Sequence, residues 1–473
     1  MLFNTLPFIF FLAIVLTVLF TAPPKLRVPI LLIASLYFYL SFNAVYLLIP
    51  ISIIVIDYFF AIRIDKETGE KRKNFYFVLA LLFNLGLLVF FKYFNFLSTN
   101  LNSFLSGMQL FDPIPILTWV LPLGISYYIF QSISYLIDVK NEKIPAERNF
   151  GTLSLFILFF PQISGGPINR GGLLLPQLKE APRFRTDNFS IGLTQVILGF
   201  FKKVVVGDLL GNYVNTFFGS YEQHSGFAIL FASWVFLLQL YADFSGYSDI
   251  AIGIARMMGY RLQINFALPL FSKTMTELWR RWHISLSTWL RDYIYNPIYI
   301  AKREWGVYAV VFAQMVTFAI CGIWHGAGWQ FLIYGLIHGV YLVAEYLLGV
   351  KSSYYNKSFI RKCLGVFITF NLLSISLILF RAHSLEQAFD LYKTLASHFS
   401  PVFPRIYDTA FFLTMLFWAF IMLAIDYIFF RNNNFDGLYA KSPAILLGLN
   451  LFLFALILLF GVSSNTQFIY FQF

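Results

Sequence analysis

The chain has 473 residues, of which 59% are hydrophobic, 20% aromatic and 12% charged. A soluble protein carries about 25% charged residues, so this chain lacks the polar side chains to cover a globular surface, and disorder, collagen and a coiled-coil rod are equally excluded. Lys and Arg number 34 against 23 Asp and Glu, a formal charge of +11. The basic residues lie in short stretches between apolar runs, without an RNP, zinc-finger or helix-turn-helix pattern, so they point to orientation in a membrane rather than to nucleic acid.

A bilayer span needs about 20 largely apolar residues. Such runs lie near 6–22, 28–41, 44–62, 75–97, 115–138, 189–206, 226–242, 307–323, 327–348, 364–380, 409–430 and 443–461. They predict an all-α integral membrane protein of about 10–12 transmembrane helices, organised as a single polytopic domain over residues 1–473. The first run has no basic n-region, and Thr21-Ala22-Pro23-Pro24 is a poor cleavage context, so it reads as a retained span.

The stretch 63–73 holds five Lys or Arg, 140–148 holds Lys140, Lys143 and Arg148, and 256–304 and 351–362 are also basic, whereas 98–114 and 207–225 contain none. Basic loops stay inside, which places the first four in the cytoplasm and 98–114 outside. Lys202-Lys203 resists this scheme, because it falls late in a span directed outward; 189–206 is therefore also open to a partial or interfacial element. Between 151 and 185 an apolar run is broken by Pro161, Gly165-Gly166-Pro167 and Gly171-Gly172. Non-helical backbone at membrane depth must be packed in protein or line a watery cavity, so this stretch is expected to be re-entrant or broken. Residues 243–304 read as a long polar-aromatic insert between two spans.

Of the six histidines, His224, His383 and His398 fall in predicted loops, where a solvated ring is the default. His325 lies in CGIWHGAGW (321–329), where apolar surroundings favour the neutral imidazole that can accept a proton from a hydroxyl. A structural histidine bonded to a carbonyl fits the same position. On a continuous helix, ELWRRWHISLSTWLR (277–291) places Glu277, Arg280, Arg281, Thr288 and Arg291 on one arc, and His283 among Trp279, Trp282, Leu286, Trp289 and Leu290 on the other. This is an interfacial amphipathic helix with one histidine turned inward, which suits a Trp-packed core ring and a polar group lining a cavity about equally. His338 follows His325 by 13 residues, about 20 Å along a continuous helix, and is assigned a structural role. Asp243 and Asp249 point to nearly opposite sides of a helix and read as separate polar contacts. Cys321 and Cys363 read as small buried residues. No Walker A, GxSxG, HExxH or CxxC pattern is present, so no metal site is expected.

Five segments then stand in order: LPLGISYYIFQSISYLIDV (121–139), SGGPINR (164–170), DFSGYSDIAIGIARMMGY (243–260), ELWRRWHISLSTWLRDYIYNP (277–297) and GIWHGAGWQFLIYGLIHG (322–339). Together, over about 115–340, they resemble the membrane-bound O-acyltransferases (MBOAT), in particular the bacterial alginate O-acetyltransferase branch; the terminal FIYFQF (468–473) is also similar, while RDYIYNP departs slightly from the branch's pattern. The resemblance implies a central tunnel in the inner membrane, with an acyl thioester (acetyl-CoA as the expected co-substrate) at its cytoplasmic mouth. It further implies transfer of the acyl group to a hydroxyl of an extracytoplasmic polymer, or to a partner acyltransferase that completes the modification. By the same resemblance His325 matches the family's histidine, the general base, and His283 a second family residue that orients the acceptor or stabilises the oxyanion. Arg280, Arg281 and Arg291 are weak candidates for the donor's phosphates, with lipid head groups as the equal alternative. A flippase of a polymer or lipid carrier, or a scaffold of an envelope complex, would share the many spans without needing the base.

Overall fold

A computed structural model of the chain describes residues 1, 3–105, 113–401, 406–432, 434–462 and 468. Among these the regular elements are all helices. Nine are long and apolar enough to cross a membrane: Val45–Lys66, Glu70–Leu105, Thr186–Gly219, Gly226–Met257, Val307–His325, Trp329–Leu347, Phe359–Arg381, Thr409–Arg431 and Pro443–Phe460. Shorter apolar helices occupy Leu6–Thr21 and Phe150–Ile163, and Pro24–Leu40 and Ile125–Lys140 add two more. The protein is therefore an all-α, multi-pass membrane protein. A helix satisfies every backbone N–H and C=O within its own segment, which hydrocarbon demands. Large side chains such as Leu82, Phe420 and Leu458 accordingly remain more than half exposed, where lipid rather than protein covers them.

The contacts divide the chain into two compact units, Met1–Phe189 with Ile254–Gln263, and Ser190–Gly253 with Ile264–Phe473. In the first unit a buried polar clasp joins three helices: Asp57 accepts hydrogen bonds from Asn84 Nδ2 (2.8 Å) and from the Ser132 hydroxyl. The expected break after residue 150 is present. Helix Phe150–Leu158 stops at Phe159, Phe160–Ile163 makes one turn, and residues 164–170 run without helix until Gly171–Lys179 begins. Residues 152–169 are all buried. The Phe160 N–H turns to Ser35 Oγ (3.2 Å), and the Phe156 carbonyl so released accepts from Gln131 Nε2 (2.7 Å) and Gln162 Nε2 (2.8 Å). Side-chain amides thus replace the missing helical bonds, which makes the break tolerable at depth.

Four expectations are corrected. The run 115–138 is helical only from Ile125; residues 113–122 form no helix, because Pro113, Pro115 and Pro122 remove donors and disfavour helix. Asn102 clips onto Ile114 with bonds of 2.8 and 2.9 Å, and Asn95 onto Leu117 with bonds of 2.9 and 2.7 Å. The segment 189–206 is neither partial nor followed by a long loop, since one helix with a π-helical turn at Phe201–Gly207 continues to Gly219. The helix from Gly226 likewise runs to Met257, absorbing the first part of the supposed 243–304 insert. Cys321 is buried as expected, but Cys363 is exposed, since it sits in the first turns of a helix whose start is open all round. Residues 106–112 of the 98–114 stretch lie outside the described residues, as does FIYFQF except Phe468.

Candidate functional site

All of the candidate residues belong to the second unit. His325 is the last residue of helix Val307–His325, after which Gly326–Gly328 reverse the chain and Trp329–Leu347 packs back along the first helix as a hairpin. The ring is 5% exposed. It packs edge-on against Phe380 (5.2 Å) and Tyr334 (5.8 Å), and its Nε2 lies 3.8 Å from Cys321 Sγ one turn earlier.

The amphipathic element 277–291 is not the single helix expected. It breaks at Trp282-His283 into Met275–Arg281 and Ile284–Leu290, with His283 in the left-handed region at φ 44° and ψ 53°. A non-glycine residue held there costs about 1–3 kcal/mol and persists only where its surroundings over-determine it. The predicted division of faces survives the break: Trp279, Trp282, Leu286, Trp289 and Leu290 are buried, whereas Arg280 and Arg291 are exposed. His283 is 1% exposed. Desolvation pushes its imidazole down to about 3, so the ring is neutral across the physiological range.

The structure brings the two histidines to one side chain. The Trp324 indole lies 5.9 Å from the His283 ring and 5.1 Å from the His325 ring, so both imidazoles pack against it despite the 42 residues between them. Phe244 closes on His283 from the helix Gly226–Met257, edge-on at 4.7 Å. Two buried imidazoles in so apolar a setting, that of His283 neutral, can exchange protons with a bound hydroxyl and donate an N–H to a developing oxyanion.

His338 is placed otherwise. Because the helix breaks at Gly326–Gly328, the 20 Å separation from His325 does not apply; Tyr334 lies between them, 5.8 Å from the His325 ring and 4.5 Å from that of His338. Trp279 Nε1–H donates to His338 Nδ1 (3.2 Å), which places the ring proton on Nε2, where it donates to Ser376 Oγ (3.0 Å). Both nitrogens are engaged in tying helices together, as the structural assignment requires. Among the loop histidines, His224 stacks on Phe217 at 4.6 Å and His398 contacts Ser397 Oγ at 2.8 Å. Of the three arginines, Arg281 pairs with Glu277 (2.6 Å) and Arg291 with Asp292 (2.8 Å), while Arg280 is exposed.

Sequence reasoning missed a buried charge cluster. Lys202 pairs with Asp249 (2.8 Å) and Asp426 (2.7 Å), and Lys203 with Asp208 (2.9 Å) and Asp243 (2.5 Å). Tyr241 donates to Asp426 (2.7 Å) and Gln195 to Asp249 (3.0 Å). Asp243 and Asp249 do point apart on their helix, yet each meets one of two adjacent lysines in the widened π-helical turn. The available signal was the lysine pair itself, since an intramembrane charge is affordable only with a partner. Among the described residues no group of three His, Cys, Asp or Glu is arranged to hold a metal.

A family model for the membrane-bound O-acyltransferase family, MBOAT, matches residues 35–381. The chain is 37% identical over 402 residues to a probable alginate O-acetylase of Pseudomonas aeruginosa, an alignment covering 84% of this chain and 75% of that protein. It is 31% identical over 532 aligned residues to a peptidoglycan O-acetyltransferase of Helicobacter pylori, covering 100% of this chain and 98% of that protein. A teichoic acid D-alanyltransferase of Bacillus subtilis is 30% identical over 225 residues, which cover 46% of this chain and 57% of its own.

Proposed function

The chain belongs to the membrane-bound O-acyltransferase family, and from that premise we propose that it moves an acyl group, acetyl by the relatives' names, from a cytoplasmic thioester such as acetyl-CoA to a hydroxyl outside the bacterial inner membrane. That the protein is an O-acyltransferase follows from membership, which decides against the flippase and scaffold alternatives. The final acceptor is an envelope polysaccharide or a partner acyltransferase that hands the group on. The whole chain acts as one membrane domain in this scheme.

The observation that carries the proposal is the pair of buried imidazoles that both pack against Trp324. A thioester is already activated, so the enzyme must exclude water, align the hydroxyl with the carbonyl carbon and remove one proton. His325 takes the hydroxyl proton as the oxygen attacks. The neutral His283, or its hydrogen-bonding equivalent, donates an N–H to the oxyanion of the tetrahedral intermediate or orients the acceptor. Collapse of the intermediate breaks the C–S bond, and the thiolate recovers the proton from His325. General-base assistance of this kind is worth about 10²–10⁴-fold. Arg280 would hold the donor's phosphates at the cytoplasmic surface.

The test is transfer of label from [14C]acetyl-CoA to polymer in membranes containing the full chain. His325→Ala is expected to abolish transfer while the protein remains inserted. His283→Ala should be severe, and His283→Asn milder, because an amide still offers a neutral donor. His224→Ala and His398→Ala serve as near-wild-type controls. Full transfer by a properly inserted His325→Ala protein would remove the base from the scheme.

A further inference from the structure

His283 owes its conformation to a neighbour outside its own two helices. The segment that precedes Met275–Arg281 runs alongside the break: the Ala267 N–H donates to the Arg281 carbonyl (3.0 Å), and the Ile284 N–H donates to the Asn265 carbonyl (2.9 Å). The Asn265 side chain is 1% exposed. Its Oδ1 accepts from the Ser285 hydroxyl (2.6 Å) and from the Ser285 N–H (3.3 Å), while its Nδ2 donates to Ser248 Oγ (3.1 Å). Ser248 sits on the helix that also carries Phe244, the ring packed against His283. One residue therefore holds the two N–H groups immediately after His283 and ties them to the helix that supplies the imidazole's wall.

We infer that Asn265 is a positioning residue for His283, acting through the left-handed turn; the inference rests on the proposed part of His283 in acyl transfer. The chemistry at this position requires a carboxamide. Both lone-pair directions of Oδ1 are used by donors, and Nδ2 supplies the donor that Ser248 accepts. Alanine removes the Oδ1 that the Ser285 hydroxyl and N–H both bond, which permits the left-handed residue to relax toward an ordinary helical conformation. The 275–290 segment would then approach a continuous helix, and the imidazole would swing away from Trp324. A displacement of about 1 Å at a reacting group costs about 10²-fold in rate.

The experiment is a double-mutant cycle on the full chain in membranes, read as label transferred from [14C]acetyl-CoA, with the folded fraction judged by size-exclusion chromatography in detergent. Asn265→Ala should lower kcat by about 10²-fold with KM for acetyl-CoA changed less than about threefold. In a His283→Ala background, with its residual transfer as the baseline, the same change should cost less than about twofold more, because a residue acting through the His283 side chain has nothing left to position. Ser285→Ala, which loses the hydroxyl but keeps the N–H bond, should show a smaller loss that collapses in the same way, and it carries the test if Asn265→Ala does not fold. Losses that multiply unchanged in both backgrounds, wild-type kcat in Asn265→Ala, or failure of both variants to fold would overturn the inference. A His283→Ala protein of wild-type activity would instead remove the part assigned to His283, leaving a different signature from any of these.

Discussion

Replacing Gly335 with alanine adds one methyl group at the closest approach of the helices Val307–His325 and Trp329–Leu347. A Cβ at that position would lie 2.1 Å from the Phe318 carbonyl oxygen and 2.8 Å from Gly322 Cα, where ordinary contact begins at 3.4 Å. Both obstacles are backbone, so neither can rotate aside; the helices must part by about 1 Å, since packed interiors hold no spare volume. Overpacking of this kind costs about 1–3 kcal/mol, which a hairpin packed against neighbouring helices should survive. The rate should suffer more. His325 is the terminal residue of one of the two helices and packs on Tyr334 of the other, so parting them moves the proposed base against its surroundings, and about 10²-fold in kcat is expected. Label transfer from [14C]acetyl-CoA in membranes measures the rate, and thermal melting in detergent checks the fold. Gly86→Ala, in a helix position with nothing within 4 Å of the added Cβ, is the control and should be near wild type. A Gly335→Ala protein that melts normally and transfers at the wild-type rate would refute the claim that the hairpin's spacing sets the position of His325.

Two further outcomes follow from the structure. Lys202→Met should leave Asp249 and Asp426 facing each other without their cation, at a cost of about 3–5 kcal/mol; insertion yield and melting temperature should fall and partly recover with Asp249→Asn and Asp426→Asn added, and an unaffected Lys202→Met protein would contradict the ion-pair account. Cysteines placed at the exposed Thr68 and Ser103, in a Cys363→Ser background, should label with a membrane-impermeant maleimide from opposite faces, and labelling from one face would overturn the orientation drawn from the basic stretches.

Membrane residence, helical class and family were legible in residue order, because each depends on local quantities. Hydrocarbon accepts only segments whose backbone bonds close within themselves, so a run of apolar residues announces a helix wherever it occurs. Pro161 with Gly165-Gly166-Pro167 announced a break for the same reason, and the family's motifs travel as contiguous strings around His283 and His325. The segregation of tryptophans from arginines in 277–291 was legible too, since a half-buried segment needs one apolar side whether or not it is a continuous helix.

What lay beyond sequence reasoning was set by contacts between residues far apart in the chain. Helical periodicity cannot reveal that His283 adopts φ 44°, because the bonds that hold it come from Asn265, 18 residues earlier, and from the helix bearing Ser248. Nor can it show that Lys202 and Lys203 are buried rather than at a boundary, for their carboxylates come from positions 208, 243, 249 and 426. The juxtaposition of His283 and His325 on Trp324 is of the same kind. Local sequence determines which segments can enter a membrane; only the packing of those segments decides which polar side chains meet there, because a buried charge or a strained turn is stable only when a partner from elsewhere in the chain completes it.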